Sequence, residues 1–121
     1  EAVAAAMALR TAGPGIVVVS GIEAGNEIVT AACCADAAWT VTTPYVGAGA
    51  RIDGAGDLLA ALWLGRYLET RDPGAALSLA VSSTFGVIEA SVSRGMRELA
   101  LVAAQSEFVA PSRRFTAERV R

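Results

Sequence analysis

Residues 51–65 read RIDGAGDLLAALWLG: a Gly-Ala-Gly turn, one aspartate, then a run with almost no polar side chain. Gly54 and Gly56 lack a Cβ, so the backbone can turn tightly and present successive N–H groups at the mouth of the helix that follows. Those N–H groups and the helix dipole together make an anion site. Asp57, in the first turn, complements the same dipole and is placed to accept a proton. A turn able to hold a transferring phosphoryl group, beside a carboxylate able to take a hydroxyl proton, is the equipment of a small-molecule kinase. The same residues also read as plain helix-start chemistry, with Asp53 as the N-cap and Asp57 as a first-turn acid. Taken alone, the motif leaves both readings open.

Composition narrows the classes. A chain of 121 residues with 54% apolar side chains can bury one modest core, which fits one domain or part of one. The net charge is −2, and the ten basic residues, all arginine, are spread without a block of like charge. Neither a nucleic-acid stripe nor a polybasic membrane patch is indicated. The two apolar runs, Leu58–Leu68 and Ala75–Val92, are interrupted by Arg66 and by Ser82, Ser83, Thr84 and Glu89. They read as buried helices rather than membrane spans. No signal peptide is recognisable, and the first residue is Glu1 rather than Met, so a fragment is expected.

Absent residue types constrain the chemistry further. Without histidine, imidazole acid–base catalysis, His triads and His metal ligation are excluded within this segment. Without lysine, a Schiff base and the phosphate-binding Lys of a Walker A loop are excluded as well. Phosphate bound here must be held by backbone N–H groups, arginine or a metal. The only thiols, Cys33 and Cys34, are adjacent in a predicted strand, where neighbouring side chains point to opposite faces. They read as two reduced thiols of a cytoplasmic protein rather than a strained vicinal disulfide.

The order of predicted elements is mixed α/β. Residues 1–12 form an alanine-rich helix stopped by Gly13-Pro14. GIVVVSG (15–21) has the look of a central strand covered on both faces, the habit of parallel sheets. Residues 26–34 and 37–44 read as two strands joined near Ala35-Asp36, the second ended by Pro44. After a glycine-rich loop over 45–53, a helix is expected from Gly54 to Thr70. Asp72-Pro73, an N-cap followed by a first-turn proline, opens another to about residue 93, with Gly95 as its stop. The tail from Glu98 alternates briefly as ELALVA and then turns polar. No internal repeat appears.

Gly54-Ala55-Gly56-Asp57 followed by Leu-Leu-Ala-Ala-Leu resembles the G-x-G-D signature of ribokinase-like kinases, most closely the pyridoxal kinase branch. GPGIVVVSG, the strand pair ending in AAWTVTTPYV, GAGDLLAALWLGRYL and ELALVAAQSEFVAP also fall in the order and at the approximate spacing of pyridoxal kinase C-terminal halves. The resemblance covers nearly the whole chain, which covers less than half of such an enzyme. It implies the C-terminal part of a ribokinase-like three-layer α/β fold, with a mostly parallel sheet, a hairpin and helices packed on the sheet. Residues 1–121 are then the nucleotide-binding part of one kinase domain whose N-terminal part is absent from this chain.

By the same resemblance, Asp57 takes the proton from the primary hydroxyl of the substrate as that hydroxyl attacks the γ-phosphate of ATP. Gly54, Ala55 and Gly56 match the backbone anion hole. Thr43, Pro44, Tyr45 and Val46 match a stretch along the nucleotide, although a strand end with a packed tyrosine reads equally well. Ser20 stands where many pyridoxal kinases carry a lysine or threonine near the ATP phosphates; it offers a hydrogen bond and no charge. Arg51 is close enough in sequence to assist an anion, and also reads as a solvated arginine. Trp39, Trp63 and Phe85 read as core or as a wall of the adenine pocket. A branched side chain at Gly56 is expected to meet the phosphate and also a disfavoured φ.

The implied activity is ATP- and Mg²⁺-dependent phosphorylation of pyridoxal or a related B6 vitamer, in a cytoplasmic homodimer that contacts neither nucleic acid nor membrane. No metal ligand is assigned within this chain. The groups that organise Mg²⁺, bind the pyridine ring and form the lid belong to the missing part, so the fragment is expected to be inactive alone, with exposed strand edges and apolar helix faces. Two other classes stay open: a hydroxymethylpyrimidine or sugar kinase of the same fold, and a non-catalytic α/β interaction module in which Asp57 is only a cap.

Overall fold

The computed structural model describes residues 1–47 and 52–121. Their elements run α1 (Ala2–Arg10), β1 (Val17–Ala24), β2 (Glu27–Cys33), β3 (Ala38–Pro44), α2 (Ala55–Thr70), α3 (Pro73–Ser93), α4 (Ser106–Val109) and β4 (Glu118–Arg119). The four strands form one sheet in the order β1-β2-β3-β4, and every neighbouring pair is antiparallel. The α/β class and the helices on the sheet are as expected. The parallel pairing expected of residues 15–21 is not found within the described residues, where β1 folds back on β2 as a hairpin. Its turn is Gly25-Asn26, with Gly25 at φ 64°, a conformation glycine adopts without steric penalty.

What the apolar run of β1 did encode is cover on both faces. Val17 and Val19 pack with Val3 and Met7 of α1 around Ala6, Cys33 and Ala38. Val18 points the other way, into the cluster of Ala32, Val41, Leu59, Leu77, Ala80 and Val81. The sheet therefore lies between α1 on one face and α2 with α3 on the other. β1 is the end strand, and its outer edge has no partner among the described residues. The β2–β3 hairpin forms where expected: Cys33 pairs with Ala38, and the Cys34 N–H donates to the Ala37 carbonyl at 2.9 Å. Both cysteines are free, and burial, with Cys34 adjacent, pushes the Cys33 thiol up from its ordinary range. Cys33 is accordingly a small core side chain.

α3 is long and apolar enough to cross a membrane by length and composition, yet it is the central core helix. Ala76, Leu77, Ala80, Val81, Phe85 and Val87 are buried along it. Its start is fixed as expected: the Asp72 carboxylate accepts from the N–H groups of Gly74 (2.9 Å) and Ala75 (3.1 Å), and Pro73 occupies the first turn. Asp72→Ala should lower unfolding stability by about 1 kcal/mol, read as a reduced urea midpoint with unchanged slope.

α2 departs from expectation. Its apolar sequence suggests burial, but only Leu59 is fully buried, and Leu64 and Leu68 are each 53% exposed. The ELALVA stretch is no strand: Asp53 and Glu98 form an isolated parallel bridge, and residues 101–105 turn into α4. Serines of α3 then stitch the tail down. Ser91 Oγ donates to the Val87 carbonyl (2.7 Å) and accepts from the Ala100 N–H (2.9 Å). Ser82 Oγ accepts from the Phe115 N–H (2.9 Å), while Ser78 Oγ donates to the Phe115 carbonyl.

Candidate active site

The turn at 54–57 forms the start of α2. Gly54 is the N-cap, at φ 95°, a left-handed value that glycine alone adopts easily. Asp53 is therefore not the N-cap, and no side chain caps this end. Nor is Gly56 the strained position: it already lies inside the helix, so the disfavoured φ expected there belongs to Gly54. An uncapped helix start of this kind leaves its first N–H groups directed outward. Asp57 is exposed on the first turn.

Beside this turn lies a cavity of about 250 Å³. Its walls come from four elements. β1 gives Ser20 and Gly21, where the register with β2 shifts between Val19 and Ile22, so that Ser20 leaves the ladder. β2 gives Ile28 and Thr30, and the end of β3 gives Thr43, Pro44, Tyr45 and Val46. Ile52, Ala55, Gly56 and Leu59 follow from the start of α2, and Val81, Thr84, Phe85 and Ile88 from α3. The cavity thus gathers Ser20, Thr43, Pro44, Tyr45, Val46, Ala55 and Gly56, which are separated by up to 36 positions in sequence. Gly54 and Asp57 sit on the same turn but outside its wall. Arg51 lies outside the described residues.

The wall residues are chemically uniform. None of those described carries a formal charge, and apolar side chains meet the hydroxyls of Ser20, Thr30, Thr43, Tyr45 and Thr84. Tyr45 is 42% exposed, not packed under the strand end, and its N–H donates to the Asn26 carbonyl at 2.9 Å. Such a slot suits a flat, mostly apolar ring with a charged group left at the mouth. Phe85 is a wall residue, held from behind by an edge contact with Phe115 (4.8 Å between centroids) and by the Arg113 guanidinium 4.9 Å from its ring centre. Arg113 in turn pairs with Glu89 at 3.4 Å. Trp39 and Trp63 instead pack against the main core cluster.

Val81, Thr84 and Ile88 are wall residues that the sequence reading missed. The signal was present, since positions 81, 84, 85 and 88 recur at helical spacing and share one face of α3. What no periodicity states is that this face meets the ends of β1 and β3.

No protein-family model matches this chain. Among curated proteins, the pyridoxal kinase PdxY of Rubrobacter xylanophilus is 44% identical over 124 aligned residues, covering 98% of this chain and 42% of that protein. The Deinococcus radiodurans pyridoxal kinase PdxY is 37% identical, covering 99% of this chain and 43% of the relative. This chain therefore spans less than half the length of the curated relatives it matches. Among solved structures, the pyridoxal kinase of Leishmania donovani in complex with ADP and ginkgotoxin superposes with a TM-score of 0.85 at 22% identity, over 97% of this chain and 43% of that one. Over nearly its whole length, this chain corresponds to the C-terminal part of the pyridoxal kinases, in sequence to the Rubrobacter and Deinococcus proteins and in fold to the Leishmania one.

Proposed function

We propose that residues 1–121 are the nucleotide-binding, C-terminal part of a kinase domain that transfers the γ-phosphate of ATP to the primary hydroxyl of pyridoxal or another B6 vitamer. The observation that carries this reading is the uncapped start of α2, with Ala55 and Gly56 in the wall of an uncharged slot and Asp57 one residue further on the same turn. The slot takes the base of the nucleotide. The N–H groups at the start of α2 donate to the phosphate oxygens and stabilise the charge that builds on them during transfer. Asp57 accepts the proton of the attacking hydroxyl as the new O–P bond forms and the bond to the leaving diphosphate oxygen breaks. Ser20, at the bulge of β1, donates one hydrogen bond toward the phosphates.

Mg²⁺ is a separate matter. Among the described residues no three His, Cys, Asp or Glu side chains cluster to hold a metal. The described residues do not by themselves make a Mg²⁺ site. Paired free thiols at Cys33 and Cys34 support a reducing, cytoplasmic setting.

Ligand-dependent stability tests the nucleotide site. In the full-length protein, ATP with Mg²⁺ at a hundredfold excess over Kd should raise stability by about 2.7 kcal/mol, seen as an increase in Tm. An unchanged Tm at millimolar MgATP speaks against a nucleotide site, and with it against a kinase.

A further inference from the structure

We propose that Arg113 is a positioning residue for the nucleotide slot: it fixes the ring of the wall residue Phe85 and so sets the shape of the slot where the base enters. This inference rests on the nucleotide reading of the cavity. Phe85 lines the slot on α3, together with Val81 and Ile88. Arg113 is not among the described wall residues and is half exposed. Its guanidinium lies over the Phe85 ring at 4.9 Å and over the Phe115 ring at 5.4 Å, while Phe115 meets Phe85 at 4.8 Å in an edge contact. An aromatic side chain on a helix has two common χ1 wells, and the groups packed on it decide which is filled. For Phe85, two of those groups come from the C-terminal tail.

The tail is tied to α3 on both sides of Arg113. Before it, the Glu107 carboxylate lies on the helix backbone at Gly86, next to Phe85, so closely that a Cβ at Gly86 would stand 1.9 Å from Glu107 Oε1. Glycine weakens a helix interior, and here it admits that approach. The same carboxylate accepts from the Ser112 N–H at 3.0 Å and from the Ser112 hydroxyl, which fixes the residue preceding Arg113. After it, Ser82 and Ser78 hold the backbone of Phe115. Glu89, one turn beyond Phe85 on α3, pairs with Arg113 itself at 3.4 Å. An exposed ion pair of this kind contributes little stability alone. What it does here is aim a planar cation at two rings, a contact that arginine makes through its flat face and that lysine makes only as a point charge.

Arg113→Ala and Arg113→Lys in the full-length protein test this, each made alone and Arg113→Ala also in a Phe85→Leu protein. ATP binding is measured by titration calorimetry, kcat at saturating ATP, and Tm without nucleotide. The expected result for Arg113→Ala is ATP binding weaker by about threefold to fivefold, with kcat and Tm close to wild type, because the side chain is half exposed and touches the ring rather than the reacting groups. Arg113→Lys should recover part of the affinity. In the Phe85→Leu protein, Arg113→Ala should weaken binding no further, since the ring through which it acts is gone. Wild-type affinity in Arg113→Ala overturns the inference while leaving the nucleotide site standing. An equal further loss in the Phe85→Leu protein also overturns it, because Arg113 would then act by a route other than the ring. A reduced kcat with unchanged ATP affinity does the same. Absence of ATP binding by the wild-type protein overturns the nucleotide reading, and this inference with it.

Discussion

Full-length protein carrying Asp57→Asn is expected to phosphorylate pyridoxal with kcat reduced by roughly 10²–10⁴, the range that a positioned general base contributes. The change is nearly isosteric and removes the proton-accepting oxygen while keeping the hydrogen-bonding shape. Asp57 is exposed at the first turn of α2 and outside the cavity wall, so the fold should persist and ATP affinity should change little. The measurement is steady-state turnover at saturating ATP and pyridoxal, with Tm as the control. Turnover near wild type in a folded Asp57→Asn protein would remove the base assignment. It would favour the reading of Asp57 as a first-turn acid that complements the helix dipole and takes no proton.

The second large effect is expected at Gly56. A Cβ built there meets no atom within 4 Å, and the residue already has helical backbone, so a side chain can be added there without backbone strain. Glycine is also a poor helix residue, by about 1 kcal/mol against alanine, so Gly56→Val should not lower the Tm. Gly56 lines the slot, and under the proposed mechanism the phosphates lie beside it. Two methyl groups there push the phosphoryl group off the helix N–H donors. Losing one such donor typically costs roughly 10²–10³ in kcat, because the charge it stabilises develops only in the transition state. Assays of Tm and of pyridoxal phosphorylation on the same preparation decide the matter. A stable variant with undiminished turnover means that the turn holds no phosphate.

The two glycines of the turn show how far the sequence could be read. Their spacing and the following aspartate announced a helix mouth suited to anions, and α2 starts there. Which glycine carries the left-handed φ was not legible, because both lack a Cβ and either could serve. It is Gly54, whose position is set by the Asp53–Glu98 bridge beside it and by the side chain of Leu99, 3.5 Å from where a Cβ would stand. Glu98 lies 45 positions beyond Asp53, and no local pattern marks that pairing. The exposure of Leu64 and Leu68 was equally hidden, since an apolar helix reads the same whether its faces are covered by its own chain or left open.

By itself, the sequence determined what depends on neighbours within a few positions. The Asp72-Pro73 start of α3, the Ala35-Asp36 turn, the two-faced cover of β1 and the exclusion of histidine and lysine chemistry all follow from local backbone preference, hydrophobic periodicity or bare residue identity. Tertiary structure alone decided that β1 pairs antiparallel with β2, that the bulge at Ser20 faces the end of β3, and that one side of α3 closes the slot with Thr84 in its wall. The physical reason is that packing between elements distant in sequence is settled by the total apolar area removed from water. Periodicity can say that a helix face is buried, but which strand ends it is buried against depends on every other element at once.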